Sequence, residues 1–109
     1  MTYAVVTIKK IMDFEAFREY AVVAQPLIER HGGRYVAVDK APEVKSGAWP
    51  YVRTIIVEYP NFAAAQKLYA SPEYRKIVPI RERAIDANIV LVRDPQEAGI
   101  DINPRKSGE

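Results

Sequence analysis

An α+β fold, with one antiparallel sheet and its helices packed on a single face, is what this sequence predicts, and three observations carry it. Short β-branched runs such as TYAVVTIKK and YVRTIIVEY alternate with longer stretches whose apolar residues recur every three or four positions. Proline, glycine, asparagine and serine fall between those stretches, where turns and caps belong. The resulting order, strand-helix-strand-strand-helix-strand, is that of the ferredoxin-like plait.

The first strand, TYAVVTIKK, ends shortly before Asp13, whose carboxylate suits a helix N-cap. From there Phe14, Phe17, Ala21, Ala24 and Ile28 form the apolar stripe of an amphipathic helix. Proline removes a backbone donor and crowds the carbonyl four residues back, so Pro26 is expected to divide this helix into two segments. Gly32 and Gly33 stop it, because glycine takes the left-handed conformation that closes a helix C-terminus. RYVAVDK is then a second strand, Ala41 to Pro50 a loop, and YVRTIIVEY a third strand between Pro50 and Pro60.

Asn61 caps the next helix, FAAAQKLYAS. Ser71 followed by Pro72 is a favoured helix opening, so EYRKIVPIRERA restarts there and is expected to break near Pro79. ANIVLVR is the last strand. Residues 1–94 therefore form the domain, and residues 95–109 a polar C-terminal tail expected to be loosely held or to reach a partner.

Helices on one face leave the other face of a four-stranded sheet in need of cover. In the third strand Arg53, Ile55, Val57 and Tyr59 share one side and Val52, Thr54, Ile56 and Glu58 the other, so both faces carry apolar residues. A homodimer packed sheet against sheet is the economical solution.

Composition narrows the function. The 109 residues contain no cysteine, which removes disulfides, thiolate metal sites and cysteine nucleophiles, and the single histidine leaves any metal site to carboxylates; no metal and no cofactor is expected. The N-terminal run is too short to span a membrane and lacks the basic segment of a signal peptide, so the expected location is cytoplasmic. A net charge of +2, with arginines scattered rather than blocked, gives no phosphate-tracking surface. Phosphate-binding glycine loops, nucleophile elbows and zinc-binding His-Glu-x-x-His motifs are absent from the sequence.

HGGRY at the end of the first helix, GAW before the third strand, EYP closing it, SPEY in the second helical region and IVLV in the last strand stand in one order and spacing. Together they resemble the domain of unknown function 1330 family over roughly residues 1 to 94. The resemblance implies a ferredoxin-like subunit that pairs into a dimeric α/β barrel, a fold also used by small monooxygenases and muconolactone isomerases. It implies no reaction. Family members often continue the second strand as RYLVRGG, whereas here the second arginine falls on Val38 and the glycine pair on Asp39 and Lys40.

Candidate chemistry is sparse, and each residue has a structural reading beside the functional one. His31 is either a general acid or base at a cleft mouth or a C-terminal cap residue. Arg34 and Tyr35 point to opposite faces, and an inward Tyr35 can donate a hydrogen bond to a carbonyl or phenolate. Glu58 with Thr54 forms a base and its hydrogen-bonding neighbour, and Arg53 contacts a ligand, pairs with an acid from a helix or sits at the sheet edge; the structural alternative for these positions is an ordinary salt bridge or dimer contact. Trp49 folds onto the body or lines a pocket rim, while Tyr69, Tyr74 and Arg81 sit on the second helical region, where Tyr74 is either core or a cleft wall.

Two functions fit this inventory: a binder of, or enzyme on, a small organic molecule, with His31, Glu58 and Tyr35 moving protons and Arg34, Trp49, Arg53 and Tyr74 contacting the ligand, or a non-catalytic dimeric carrier or interaction module. RNA recognition on the same plait ranks last, since YVRTIIVEY lacks the glycines and exposed stacking rings that module needs. No nucleic-acid or membrane partner is expected.

Overall fold

In the computed structural model, which describes residues 1–103, β1 (Thr2–Ile11) leads into α1 (Phe14–Arg30), β2 (Arg34–Asp39) and β3 (Arg53–Tyr59). There follow α2 (Phe62–Ala70), α3 (Pro72–Ala84), β4 (Ile85–Arg93) and a short α4 (Pro95–Ala98). The sheet is antiparallel with order β2-β3-β1-β4, so the longest strand, β1, is central and β2 and β4 are edges. No described helix is long and apolar enough to cross a membrane.

Register decides which residues the helices cover. Ala4 lies across from Val57 and Leu91, and Val6 from Ile55 and Ile89, so these rows face the helices and join the core with Leu27, Ile28, Leu68, Tyr74 and Ile77. Val5, flanked by Ile56 and Val90, belongs to the opposite face, where Val90 and Val92 stay about half exposed. A β-bulge between Tyr35 and Ala37 restores this alternation in β2: Tyr35 pairs with Val57 on the helix side and Ala37 with Ile56 on the outer side.

The helix caps follow the sequence closely. Asp13, Asn61 and Ser71 each accept a bond from the backbone N–H three residues on. Pro26 and Pro79, however, interrupt nothing: α1 and α3 run straight through them. Both prolines are exposed, as are Val22 and Arg75, whose carbonyls lose a donor; water can replace the missing bond there, so each helix continues. Phe14, placed on the apolar stripe by spacing, is 64% exposed, because the buried face of α1 runs through Ala16, Ala24, Leu27 and Ile28 instead.

The start of the tail is held. Asp94 caps α4, and Glu97 accepts from Thr2 Oγ1 at 2.6 Å and from the Phe62 backbone N–H at 2.8 Å, tying α4 to β1 and to the first turn of α2. Residues 104–109 of the expected tail lie outside the described residues. The Thr2 hydroxyl and then the Phe62 N–H hold the Glu97 carboxyl below its ordinary value of 4.5. A depressed carboxylate stabilises the folded state above its unfolded pKa and loses that contribution as pH falls through the folded one. Thermal melting points should therefore drop more steeply on acidification for the wild type than for Glu97→Gln; equal slopes would show that α4 docking does not depend on this charge.

Candidate functional site

Helix and strand register aim five of the seven tyrosines into the space between the layers: Tyr20 from α1, Tyr35 from β2, Tyr59 from β3, Tyr69 from α2 and Tyr74 from α3. Tyr74 is the hub. Its hydroxyl lies 2.7 Å from that of Tyr20 and accepts a bond from Arg81 Nη1 at 2.8 Å. Arg81 stands two helical turns beyond Tyr74 on the same face of α3, which places its guanidinium 5.8 Å from the Tyr74 ring centroid. Tyr20 and Tyr69 meet Tyr74 edge to face at 6.3 and 4.9 Å. Among the described residues the buried Tyr59 hydroxyl finds no hydrogen bond of good geometry.

Burial sets the protonation of this cluster. It pushes the Tyr35 phenol up to about 12, with Glu29 and Tyr74 adding to the rise. Tyr20, Tyr59 and Tyr69 are driven higher still, again mainly by burial, with Tyr74 adding to each rise. These phenols are neutral hydrogen-bond donors near pH 7 and poor bases there.

Two spaces adjoin the cluster. An inner cavity of about 50 Å³ is lined by Tyr20, Tyr35, Tyr69 and Arg81 together with apolar side chains of the sheet and α1. Outside it a groove of about 630 Å³ runs between the helix layer and edge strand β4, with Gln66, Tyr69, Ala70 and Arg81 on one wall and Ala87, Ile89 and Leu91 on the other. Tyr69, Arg81 and Ile89 line both. Among the described residues no group of three or more His, Cys, Asp or Glu side chains could hold a metal ion.

The three residues named for proton movement are not brought together. His31 is the C-cap of α1, and its Nδ1–H donates to the Leu27 carbonyl at 2.9 Å. Glu58 lies on the outer face of the sheet, ion-paired at 3.0 Å with an exposed Arg34, while Tyr35 faces the helices. Trp49 also belongs to the outer side: its indole N–H donates to Thr54 Oγ1 at 3.0 Å and its ring meets Tyr51 edge to face. Arg53 stacks over Phe17 at the other end of the helix layer, 5.4 Å from the ring centroid, with its Nε buried and unbonded. Of the residues singled out from sequence, the structure gathers Tyr35, Tyr69, Tyr74 and Arg81 in one cluster and adds Tyr20 and Tyr59.

The Gly-Gly pair has its own explanation. Gly32 has φ +85°, and the N–H groups of Gly32 and Gly33 close α1 by donating to the Glu29 and Ile28 carbonyls. A Cβ on Gly33 would stand 2.4 Å from Ile28 Cγ2 and 3.0 Å from the Tyr59 ring, so this marker keeps α1, β2 and Tyr59 close-packed.

With the site's geometry in place, residues 1–95 match the family described as Domain of unknown function (DUF1330). The chain belongs to that family. The DUF1330 chain also resembles solved structures in fold. A protein of unknown function from Rhodopseudomonas palustris shares 22% identity and a TM-score of 0.69, covering 85% of this chain and 81% of its own. A dimeric ferredoxin-like protein of unknown function from Jannaschia sp. CCS1 shares 10% identity over 85% and 98% of the two chains, with a TM-score of 0.64. A putative antibiotic biosynthesis monooxygenase from Nitrosomonas europaea shares 14% over 86% and 98%, with a TM-score of 0.60. At these identities the likeness is one of fold, and it bears out the ferredoxin-like reading of this DUF1330 sequence. No curated protein matches the chain.

Proposed function

We propose that the protein is a homodimer that binds a small organic molecule in the groove between the helix layer and β4. The observation that carries this is the groove's size and position: about 630 Å³, within the usual range of small-molecule sites, and bordering a cluster of neutral phenols through Tyr69 and Arg81. Ala87, Ile89 and Leu91 offer an apolar wall, while Gln66, Tyr69 and Arg81 offer polar contacts. Tyr74 acts from behind, accepting from Arg81 and packing edge to face on Tyr69, while Tyr35, which lines the inner cavity, donates toward a carbonyl or phenolate that reaches it.

The lining of the groove favours a carrier over an enzyme that abstracts a proton. Among the described residues no carboxylate or imidazole borders it, and the adjoining phenols are weak bases. In this reading His31 serves as a helix cap, while Glu58, Arg34 and Trp49 serve the outer sheet face, where a second copy packs. The half-exposed Val90 and Val92 support that pairing, as does the dimeric description of the Jannaschia protein.

The test is to fill the groove. Ala70 is exposed and lines it, so Ala70→Trp should leave the melting point nearly unchanged while abolishing the amide shifts that aromatic fragments cause at Tyr69, Arg81 and Ile89 in the wild type. Fragments that still shift those residues in the variant, or that bind only elsewhere, would overturn the assignment.

A further inference from the structure

Resting on the groove as the binding site, we infer that its ligand is an organic anion, a flat apolar body carrying a carboxylate, and that Arg81 is the residue that selects it. Arg34 and Arg83 reach acids, Glu58 and Glu19, within ion-pair distance; Arg81 reaches none among the described residues. Among the described residues its one hydrogen bond goes not to an acid but to the Tyr74 hydroxyl, through Nη1. A guanidinium carries five N–H donors, so most of its donor capacity is uncommitted.

Arg53 and Arg93 also lie over aromatic rings without an acid partner among the described residues, and position separates Arg81 from them. Arg81 alone of the three borders both the inner cavity and the large groove. It is half-buried beside Ile89 and the apolar wall. A neutral ligand that covered the groove would strip water from this cation and give it no counter-charge. A carboxylate restores the charge balance and matches the planar fork of a guanidinium with two parallel bonds. The phenol of Tyr69, neutral and on the same wall, adds a third donor to the anion. Ala87, Ile89 and Leu91 across the groove then receive the hydrocarbon part of the ligand.

The probes are 2-naphthoate and its neutral counterpart 2-naphthamide, titrated into the full chain with backbone amide shifts as the readout. Naphthoate should shift Tyr69, Arg81 and Ile89 and bind about tenfold tighter than the amide or more, the scale of one charge-assisted pair. Arg81→Gln should erase that preference, and Arg81→Lys should keep it at several-fold lower affinity. If Arg81→Gln does not fold, the lysine variant decides: unchanged naphthoate affinity would overturn the bidentate role. Equal binding of acid and amide at the groove would overturn the anion inference and leave the groove reading standing. Failure of either probe to shift groove residues at millimolar concentration would overturn both.

Discussion

Gly33→Ala is expected to lower the stability of the fold by about 2–3 kcal/mol, seen as a lower urea midpoint with an unchanged slope. The methyl group would lie 2.4 Å from Ile28 Cγ2, 2.9 Å from the Ile28 carbonyl oxygen and 3.0 Å from the Tyr59 ring. Neither of the last two contacts can yield cheaply. The carbonyl is fixed because it accepts the Gly33 N–H that closes α1, and Tyr59 is fully buried in the core. Gly47→Ala is the control for backbone strain alone, since that glycine, unlike Gly33, has a positive φ, +82°, and among the described residues nothing lies within 4 Å of the added carbon. It should cost only the backbone strain, about 1 kcal/mol. A loss at Gly33 no larger than at Gly47 would mean that Ile28 and Tyr59 yield readily and that close packing of β2 on α1 does not require this glycine.

Ile56→Asp is expected to take the proposed homodimer apart to monomers in sedimentation, weakening self-association by about a hundredfold or more. Ile56 sits on the outer face in register with Val5 of the central strand, beside Ala37 of β2, at the middle of the surface proposed to meet a second copy. A carboxylate there would be buried without a partner on association, while in the monomer it remains hydrated. The folded subunit should survive, because the helix-side rows through Val57 and Ile55 are untouched. A variant that sediments as the wild type does would overturn sheet-to-sheet pairing.

Local signals in the sequence carried a large part of this structure. Asp13, Asn61 and Ser71 cap as their residue types require, Gly32 ends α1 in the left-handed region, and strand order follows from β-branched runs between turn residues. Two proline expectations failed for one reason. Whether proline breaks a helix depends on what replaces the lost hydrogen bond, and at Pro26 and Pro79 the answer is solvent exposure, which only the packed helix orientation reveals. The periodicity of α1 was legible, yet its buried face is rotated away from Phe14 toward Ala16 and Leu27, since several stripes fit one helix and tertiary packing selects among them.

The site was less legible still. Tyr20 and Tyr74 are 54 positions apart, and nothing local says that their hydroxyls meet at 2.7 Å. Glu58 and Tyr35 looked equally available, until strand register put one on each face of the sheet. By itself, then, the sequence determined the elements, their caps, the plait order and family membership, because those depend on interactions between near neighbours and on patterns of period two or 3.6. Only the tertiary structure decided which polar residues share a space and which arginine faces the groove without an acid. Those facts rest on contacts between distant segments, and their burial and charge are properties of the assembled layers rather than of any stretch of chain.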